Sequence, residues 1–331
     1  MQRILIVGVG SIGERHVRCF LATGRVTVGI CELNNELRES VATRYDVAYG
    51  TGDLAEALAQ PWDGVLIATP AHTHIPIASQ AVDAGLDIVI EKPLSISLEG
   101  VESLRRRVRE QGLMAAVSYQ IRAHPGTATL KAALDGGQYG KPLQVLGSIG
   151  QYFPKYRPAY GEVYFADPAQ GGGAIHDAMT HLLNLGEYLV GPITRLVADA
   201  DHQHLAGVTV EDTVHVIARH DQIMANYTLN LYQKPNESHI TIVCEHATLR
   251  FELHQSRWRV MAEPEGPWED HDHPLADRDA LYIANATHLL DALAGTAKPL
   301  CSLAEGIQTL HVNLAVHESV RSGSWQEIVP D

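Results

Sequence analysis

The order of apolar runs in this chain predicts an α/β domain built on a doubly wound parallel sheet, followed by an α+β domain with an open, mainly antiparallel sheet. Three observations carry the prediction. Short strand-like runs alternate with helical patterns through the first third. A glycine-rich turn joins the first run to the first helix. From about Leu143, segments of period two follow one another with few helices between them. A length of 331 residues leaves room for two domains of ordinary size, placed at 1–120 and 121–331.

The first element is Arg3 to Val7, an apolar run of strand length that feeds directly into Gly8-Val9-Gly10-Ser11-Ile12-Gly13. Each glycine of this G-x-G-x-x-G turn has a physical task. Gly8 allows the tight turn, Gly10 lets the backbone approach a pyrophosphate, and Gly13 lets helix pack on strand. Ser11 and Ile12 sit at the helix N-terminus that faces the negative charge. The helix carries apolar Val17, Phe20 and Leu21 and stops at Gly24. A second strand, Val26 to Cys31, ends at Glu32, where a carboxylate can accept hydrogen bonds from an adenosine ribose. Further strands at Gly64 to Ala68, Leu86 to Ile90 and Met114 to Val117 continue the alternation. The helix after Gly64 to Ala68 has Pro76 in its first turn, Ile75, Ala78 and Val82 on one face, and Gly85 at its end. Ser97 is set to cap the next, whose core face is Val101, Leu104 and Val108. The cluster Arg105-Arg106-Arg107 with Arg109 on that helix reads as solvated surface.

Past Leu143 the period-two segments are Val145 to Tyr152, Thr213 to Arg219, Ile223 to Leu231, His239 to Cys244, Thr248 to Leu253 and Arg257 to Met261, an antiparallel sheet. One helix near Ala174 to Val190 interrupts them, and two more close the chain. The last begins with a capping box, Ser302 and Glu305, then Leu303, Ile307, Leu310 and Leu314 at helical spacing before Gly323. Glu263 to Asp279, rich in Pro, Asp and His, reads as an exposed loop.

Composition narrows the partners. With 39 acidic and 25 basic residues the formal charge is -14, which disfavours nucleic acid or an anionic membrane; an anionic small substrate stays possible through a local arginine. Cys19, Cys31, Cys244 and Cys301 show no paired spacing and read as reduced thiols of a cytoplasmic protein. The first apolar run is strand length, unlike a signal peptide, and no run approaches the ~20 residues of a membrane span.

In an open parallel sheet ligands bind beyond the carboxyl ends of the strands. After Gly64 to Ala68 come Thr69-Pro70 and His74; after Leu86 to Ile90 come Glu91-Lys92-Pro93, which places a lysine where a nicotinamide cofactor would lie. A second constellation is Gly171-Gly172-Gly173 followed by His176, Asp177 and His181. The glycines permit close approach of a ligand or another backbone. At about 100° per residue Asp177, His181, Asn184 and Tyr188 form one stripe opposite Met179, Leu182, Leu183, Leu189 and Val190. An amphipathic helix with its polar side in water accounts for this. So does a site, since the stripe holds no Lys or Arg and consists of groups that hydrogen-bond or transfer protons.

These motifs, in this order and approximate spacing, resemble the Gfo/Idh/MocA family, the glucose-fructose oxidoreductase and inositol dehydrogenase group, over essentially the whole chain. The resemblance implies an N-terminal Rossmann domain, a C-terminal domain for substrate binding and oligomerisation, and NAD(P)-dependent chemistry at a carbon bearing oxygen, commonly in a sugar or polyol. It makes Lys92 the catalytic lysine, Asp177 the substrate-positioning acid and His181 the proton-transfer histidine. Departures are His176, where many members carry an apolar residue, and Asn184, where Asp is frequent, which suits an atypical substrate.

Hydride transfer from a carbinol requires its hydroxyl to lose a proton, which His181 is suited to accept, while Lys92 stabilises developing alkoxide charge and Asp177 holds the substrate or tunes the imidazole. Candidate substrate contacts close to the expected cleft are Tyr119, Arg122, Tyr152 and His176; Arg122 could grip a carboxylate or form a structural salt bridge. Glu32 favours NAD over NADP because it would repel a 2′-phosphate, with Arg38 as the residue that could oppose it. The pairs His72/His74, His202/His204 and His271/His273 lack a complete tetrahedral ligand spacing, so no metal is expected. Two other functions fit parts of the pattern: a glycoside-cleaving enzyme of the same family that keeps NAD bound, and a non-catalytic nucleotide sensor. A sheet with one face uncovered predicts a homodimer or homotetramer.

Overall fold

The computed structural model describes residues 1–329. In chain order the elements are β1 (Gln2–Val7), α1 (Ser11–Ala22), β2 (Val26–Cys31), α2 (Asn35–Tyr45), β3 (Tyr49–Thr51), α3 (Leu54–Leu58), β4 (Gly64–Ile67), α4 (His74–Asp83), β5 (Ile88–Glu91), α5 (Val101–Gln111), β6 (Ala115–Ser118) and α6 (Pro125–Asp135). There follow β7 (Pro142–Tyr152), α7 (Phe153–Tyr156), a π-helical turn (Ile175–Met179), α8 (Thr180–Val190), β8 (Arg195–Asp201), β9 (Thr213–His220), β10 (Ile223–Asn230), β11 (Tyr232–Cys244), β12 (Thr248–Glu252), β13 (Arg257–Met261), β14 (Glu269–Asp272), α9 (Ala280–Leu293), α10 (Leu303–Ser322) and β15 (Gln326–Glu327). The chain divides into two compact units, Met1–Ala123 with Ala276–Ile307, and His124–Leu275 with Gln308–Asp331.

The first unit holds a parallel six-stranded sheet in the order β3-β2-β1-β4-β5-β6. The strand order reverses between β1 and β4, so the crevice for a dinucleotide opens beside the glycine turn. The strands are buried on both faces and read as near-continuous apolar runs, as a sheet covered by helices demands. Ile4, Ile6, Val28, Ile30, Leu66 and Val89 share one core with Val17 and Phe20 of α1. Ala286, Leu289 and Leu290 of α9 belong to that same core, and Arg18 pins the start of α9 through a two-pronged pair with Asp279 at 2.5 and 2.9 Å. The Ser302–Glu305 capping box forms as expected, with Ser302 N–H donating to Glu305 Oε2 at 2.9 Å. The cap assigned to Ser97 does not. Helix α5 starts later, at Val101 behind a left-handed Gly100, and the Ser97 hydroxyl instead accepts from Glu99 N–H at 3.3 Å.

The second unit is a nine-stranded sheet ordered β14-β13-β12-β11-β7-β10-β9-β8-β15. Its six expected strands are present, and it is mixed rather than wholly antiparallel, because β7 and β10 run parallel. In this sheet β8, the two-residue β15, and β14 inside the expected loop Glu263 to Asp279 are strands that the apolar pattern does not mark, and in the first sheet the same holds for the three-residue β3. Helix α8 is seated on the sheet through Tyr227. A Cβ on Gly186 would lie 2.1 Å from the Tyr227 hydroxyl and one on Gly147 2.7 Å from its ring, so only glycine at both positions admits the phenol. That hydroxyl donates to His220 Nε2 at 2.6 Å, leaving Nδ1–H to donate to the Gly191 carbonyl at 2.6 Å. From the other side α10 grips α8: Glu187 accepts from Gln308 at 2.9 Å and from the Thr309 hydroxyl at 2.6 Å.

Candidate active site

In the first unit the glycine turn has the form a dinucleotide needs. Gly8 is left-handed at φ +83°, and a Cβ there would strike Thr69 at 2.8 Å. A Cβ on Gly13 would lie 1.9 Å from the Gly8 carbonyl, whereas beside Gly10 there is open space. No side chain caps the N-terminus of α1, so the amides that begin at Ser11 and Ile12 face outward, a fit for a pyrophosphate. Glu32 follows β2; its carboxylate accepts from Val9 N–H at 3.0 Å and Asn34 N–H at 2.9 Å, which fixes it in place with lone pairs left for ribose hydroxyls. Arg38 is tied back by Nη1 to the Glu32 carbonyl at 2.6 Å and by Nη2 to Asn35 at 2.7 Å.

Thr69 and Pro70 follow β4, and Lys92 follows β5 at the carboxyl edge of the sheet. The Lys92–Pro93 peptide bond is cis. His74 is buried, with Nδ1 2.9 Å from the Pro93 carbonyl and Nε2 2.8 Å from the Thr69 carbonyl, so it joins the two turns rather than lying on the surface. Glu91 is also buried, its carboxylate facing inward. Tyr119 follows β6 and is buried. Of the two readings given to Arg122, the ion pair is present: the residue is 2 % exposed and donates to Glu305 and, at 2.8 Å, to the Leu300 carbonyl.

In the second unit the helix that begins beside the three glycines is not one uniform α-helix. Its first turn, Ile175–Met179, is π-helical, and α8 continues from Thr180. The 100° wheel therefore misplaces Asp177 relative to His181. The glycines serve the backbone: a Cβ on Gly172 would lie 2.4 Å from the Phe165 carbonyl, and one on Gly173 2.4 Å from the Glu211 carboxylate. Glu211 Oε1 accepts from Ile175 N–H at 2.9 Å, an anion at a helix N-terminus; burial raises its carboxyl above the ordinary range.

Half of the polar stripe is withdrawn from water. Asp177 is 3 % exposed, and Asn184, 1 % exposed, donates to Thr309 at 2.9 Å; His181 and Tyr188 are half-buried. Asp177 receives Arg157 on one carboxylate oxygen and the Tyr164 hydroxyl on the other. The Asp177 charge raises Arg157 above its ordinary value, while burial and then Asp177 raise the Tyr164 phenol, so the acid sits between a fixed cation and a fixed donor. The sequence reading missed both partners; they come from the aromatic stretch after β7, where no helical or period-two pattern singles them out. His176 is buried with its ring 4.6 Å from that of His317. Tyr152 is half-buried beneath the Lys234 ammonium, 3.6 Å from its ring centre. The other histidine pairs have uses of their own: His202 Nε2 meets the Leu205 carbonyl at 2.7 Å, and His271 stacks on Trp258 at 3.8 Å.

Comparison with known proteins places this geometry. Residues 2–119 match the family model described as Oxidoreductase family, NAD-binding Rossmann fold, and residues 127–250 match the GFO/IDH/MocA C-terminal domain. The chain belongs to the Gfo/Idh/MocA family. Similar members are scyllo-inositol 2-dehydrogenase (NAD(+)) of Bacillus subtilis, 29% identical over 196 residues (57% of this chain, 54% of that protein), and levoglucosan dehydrogenase of Pseudarthrobacter phenanthrenivorans, 28% over 203 residues (58% and 52%). The chain thus spans about half the length of these relatives in the match. D-apiose dehydrogenase of Paraburkholderia graminis is 22% identical over 340 residues, covering 98% of this chain and 88% of that one. Among solved structures, levoglucosan dehydrogenase in complex with NADH and levoglucosan superposes with a TM-score of 0.89 over 99% of both chains at 22% identity, a likeness of fold. The residues matched by the NAD-binding Rossmann model of the Gfo/Idh/MocA family include the glycine turn and Glu32.

Proposed function

We propose that this protein is an NAD-dependent dehydrogenase that oxidises a carbinol carbon of a sugar, polyol or sugar derivative, the first unit holding the cofactor and the second the substrate. The observation that carries the reading is Lys92, held by a buried Glu91 at the carboxyl edge of a sheet whose first turn fits NAD. Support comes also from the dehydrogenases of inositol, levoglucosan and apiose among its relatives.

When bound, NAD supplies the acceptor for a hydride from carbon. The chain supplies the rest. The α1 amides hold the pyrophosphate, Glu32 accepts from the ribose hydroxyls, and the turn at Thr69-Pro70, braced by His74, lines the cofactor. The Lys92 ammonium stabilises the charge that develops on the carbinol oxygen, His181 takes its proton, and Asp177 orients the substrate through a carboxylate that Arg157 and Tyr164 hold still. Tyr119, Tyr152 and His176 are its proposed neighbours; the Arg122 cation is engaged with Glu305.

A cytoplasmic setting is proposed from the buried thiols Cys19, Cys31 and Cys244, which take part in no disulfide, and no helix of the described residues is long and apolar enough to cross a membrane. Self-association is proposed through the outward face of the second sheet. There Leu146 at 38 % exposure, Ile217 and Met224, both at 52 %, stand on three adjacent strands.

The test is a panel of polyols, aldoses and sugar acids followed by NADH absorbance. Steady NADH formation with one class of free alcohol is the expected result. Aglycone release from glycosides without net NADH assigns the glycoside-cleaving chemistry instead, and tight NAD binding with no turnover on the whole panel assigns a sensor.

A further inference from the structure

Glu91 has two buried oxygens and both are committed. Oε2 accepts the backbone N–H of Lys92 at 3.0 Å, and Oε1 lies 2.6 Å from His16 Nε2. His16 stands on α1, three residues past Gly13, with no exposed surface. Its ring meets Tyr282 of α9 edge-on at 6.0 Å and lies 6.3 Å from Phe20. The Ser118 hydroxyl at the end of β6 also serves Glu91 and accepts in turn from Asn285 at 3.1 Å. Burial raises the Glu91 carboxyl, but the hydrogen bonds from His16 and Ser118 and the nearby Lys92 cation outweigh it and hold the group below the ordinary range. Glu91 is therefore a carboxylate, and His16 donates to it through Nε2–H.

Stability alone gives a poor account of this arrangement. A buried carboxylate and its hydrogen-bonding partner are often matched or bettered by apolar residues of similar volume, and the surroundings, Phe20 and the strands of an apolar sheet, would accept them. What apolar residues could not supply is an acceptor for the Lys92 amide. The same pair also links two places with separate tasks: the helix whose N-terminus faces the pyrophosphate, and the strand end that carries the lysine.

We propose that His16 is a positioning residue: by holding the Glu91 carboxylate it fixes the Glu91–Lys92 peptide and ties the placement of the lysine to the dinucleotide-binding helix. The inference rests on the reading of Lys92 as the group that stabilises charge on the reacting oxygen. His16 touches neither cofactor nor substrate and acts through Glu91.

The experiment compares the full-length wild type with H16L, H16Q and K92A, measuring kcat, substrate KM, NAD affinity and, in the protein without cofactor, backbone hydrogen exchange of the peptide spanning 88–95. H16L is expected to lower kcat by roughly 10- to 100-fold, the cost of a misplacement near 1 Å. Its KM and NAD affinity stay within about threefold of wild type, and exchange quickens in 88–95 but not in β1 or β2. H16Q, whose amide can still donate to Glu91, recovers most of kcat and the slow exchange. Unchanged kcat and exchange in H16L overturn the proposal, as does a loss in H16L that accompanies faster exchange throughout the unit, or an H16Q enzyme as slow as H16L. Should H16L not fold, Glu91→Gln serves in its place: faster exchange in 88–95 with lower kcat is expected, and no change in either refutes the proposal. K92A separates the two ideas. A K92A enzyme of normal rate sinks the reading of Lys92, whereas a slow K92A beside a normal H16L sinks only the positioning role.

Discussion

A buried carboxylate is only as useful as the groups that hold it, and Asp177 is held by Arg157 and Tyr164 alike. Replacing Arg157 with Met removes the fixed cation and leaves the acid buried without it. Hydrogen bonds to charged groups are worth about 1.5–3 kcal/mol, so kcat/KM should fall by roughly 10- to 100-fold, with NAD affinity unchanged because the change lies in the other unit. Equal kinetics in steady-state assays of Arg157→Met would make the arginine a bystander. His220 gives a prediction of stability rather than rate. Burial outweighs its bond to Gly191 and lowers it from 6.5 to about 4. The unfolded chain therefore takes up a proton near pH 6.5 that the folded chain refuses until about pH 4. The contribution of His220 is fully present above pH 6.5 and is lost as pH falls through this window, by about 3 kcal/mol. Urea midpoints between pH 7 and 4 should fall less steeply for His220→Gln than for wild type, and parallel slopes would contradict the assignment.

Helix α8 carries His181, and its seat on the sheet depends on two glycines that make room for Tyr227. Gly186→Ala forces a methyl against the phenol, displaces it from His220 and should cost about 1–3 kcal/mol of stability; an unshifted denaturation midpoint would show that the helix can slide. The existence of this helix was legible from Gly171 onward, but its π-helical first turn was not. A wheel at constant angle has no term for the Glu211 carboxylate that receives Ile175 N–H from 36 residues away. The parallel sheet was legible because buried strands are unbroken apolar runs between helices. Period two, by contrast, is silent on direction, so the parallel β7–β10 pair went unseen, and β14, an edge strand of Glu, Asp and His, carries the charges that make edges look like loops. Lys92, Asp177 and His181 stood out by motif. Their supports did not, because His16 lies 75 residues from Glu91 in sequence and Arg157 lies 20 from Asp177, and only folding brings them together.

For the whole molecule, the acidic balance disfavours a nucleic-acid partner, and the outward face of the second sheet is the surface proposed for self-association. Ile217→Glu combined with Met224→Glu should convert a dimer or tetramer to smaller species in sedimentation analysis, and a wild type that is already monomeric at micromolar concentration would end that expectation. The account as a whole stands on proton removal by His181 during hydride transfer to NAD. The most direct measurement is kcat/KM for alcohol oxidation as a function of pH, in wild type and His181→Asn, followed by NADH absorbance on a substrate the panel identifies. Because only a neutral imidazole accepts a proton, the wild-type rate should rise with pH through one ionisation. The variant should keep its fold and its NAD affinity, run roughly 10²- to 10⁴-fold slower and lose that rising limb. A His181→Asn enzyme with near-normal rate and the same pH profile would contradict the account and leave the proton acceptor to another residue.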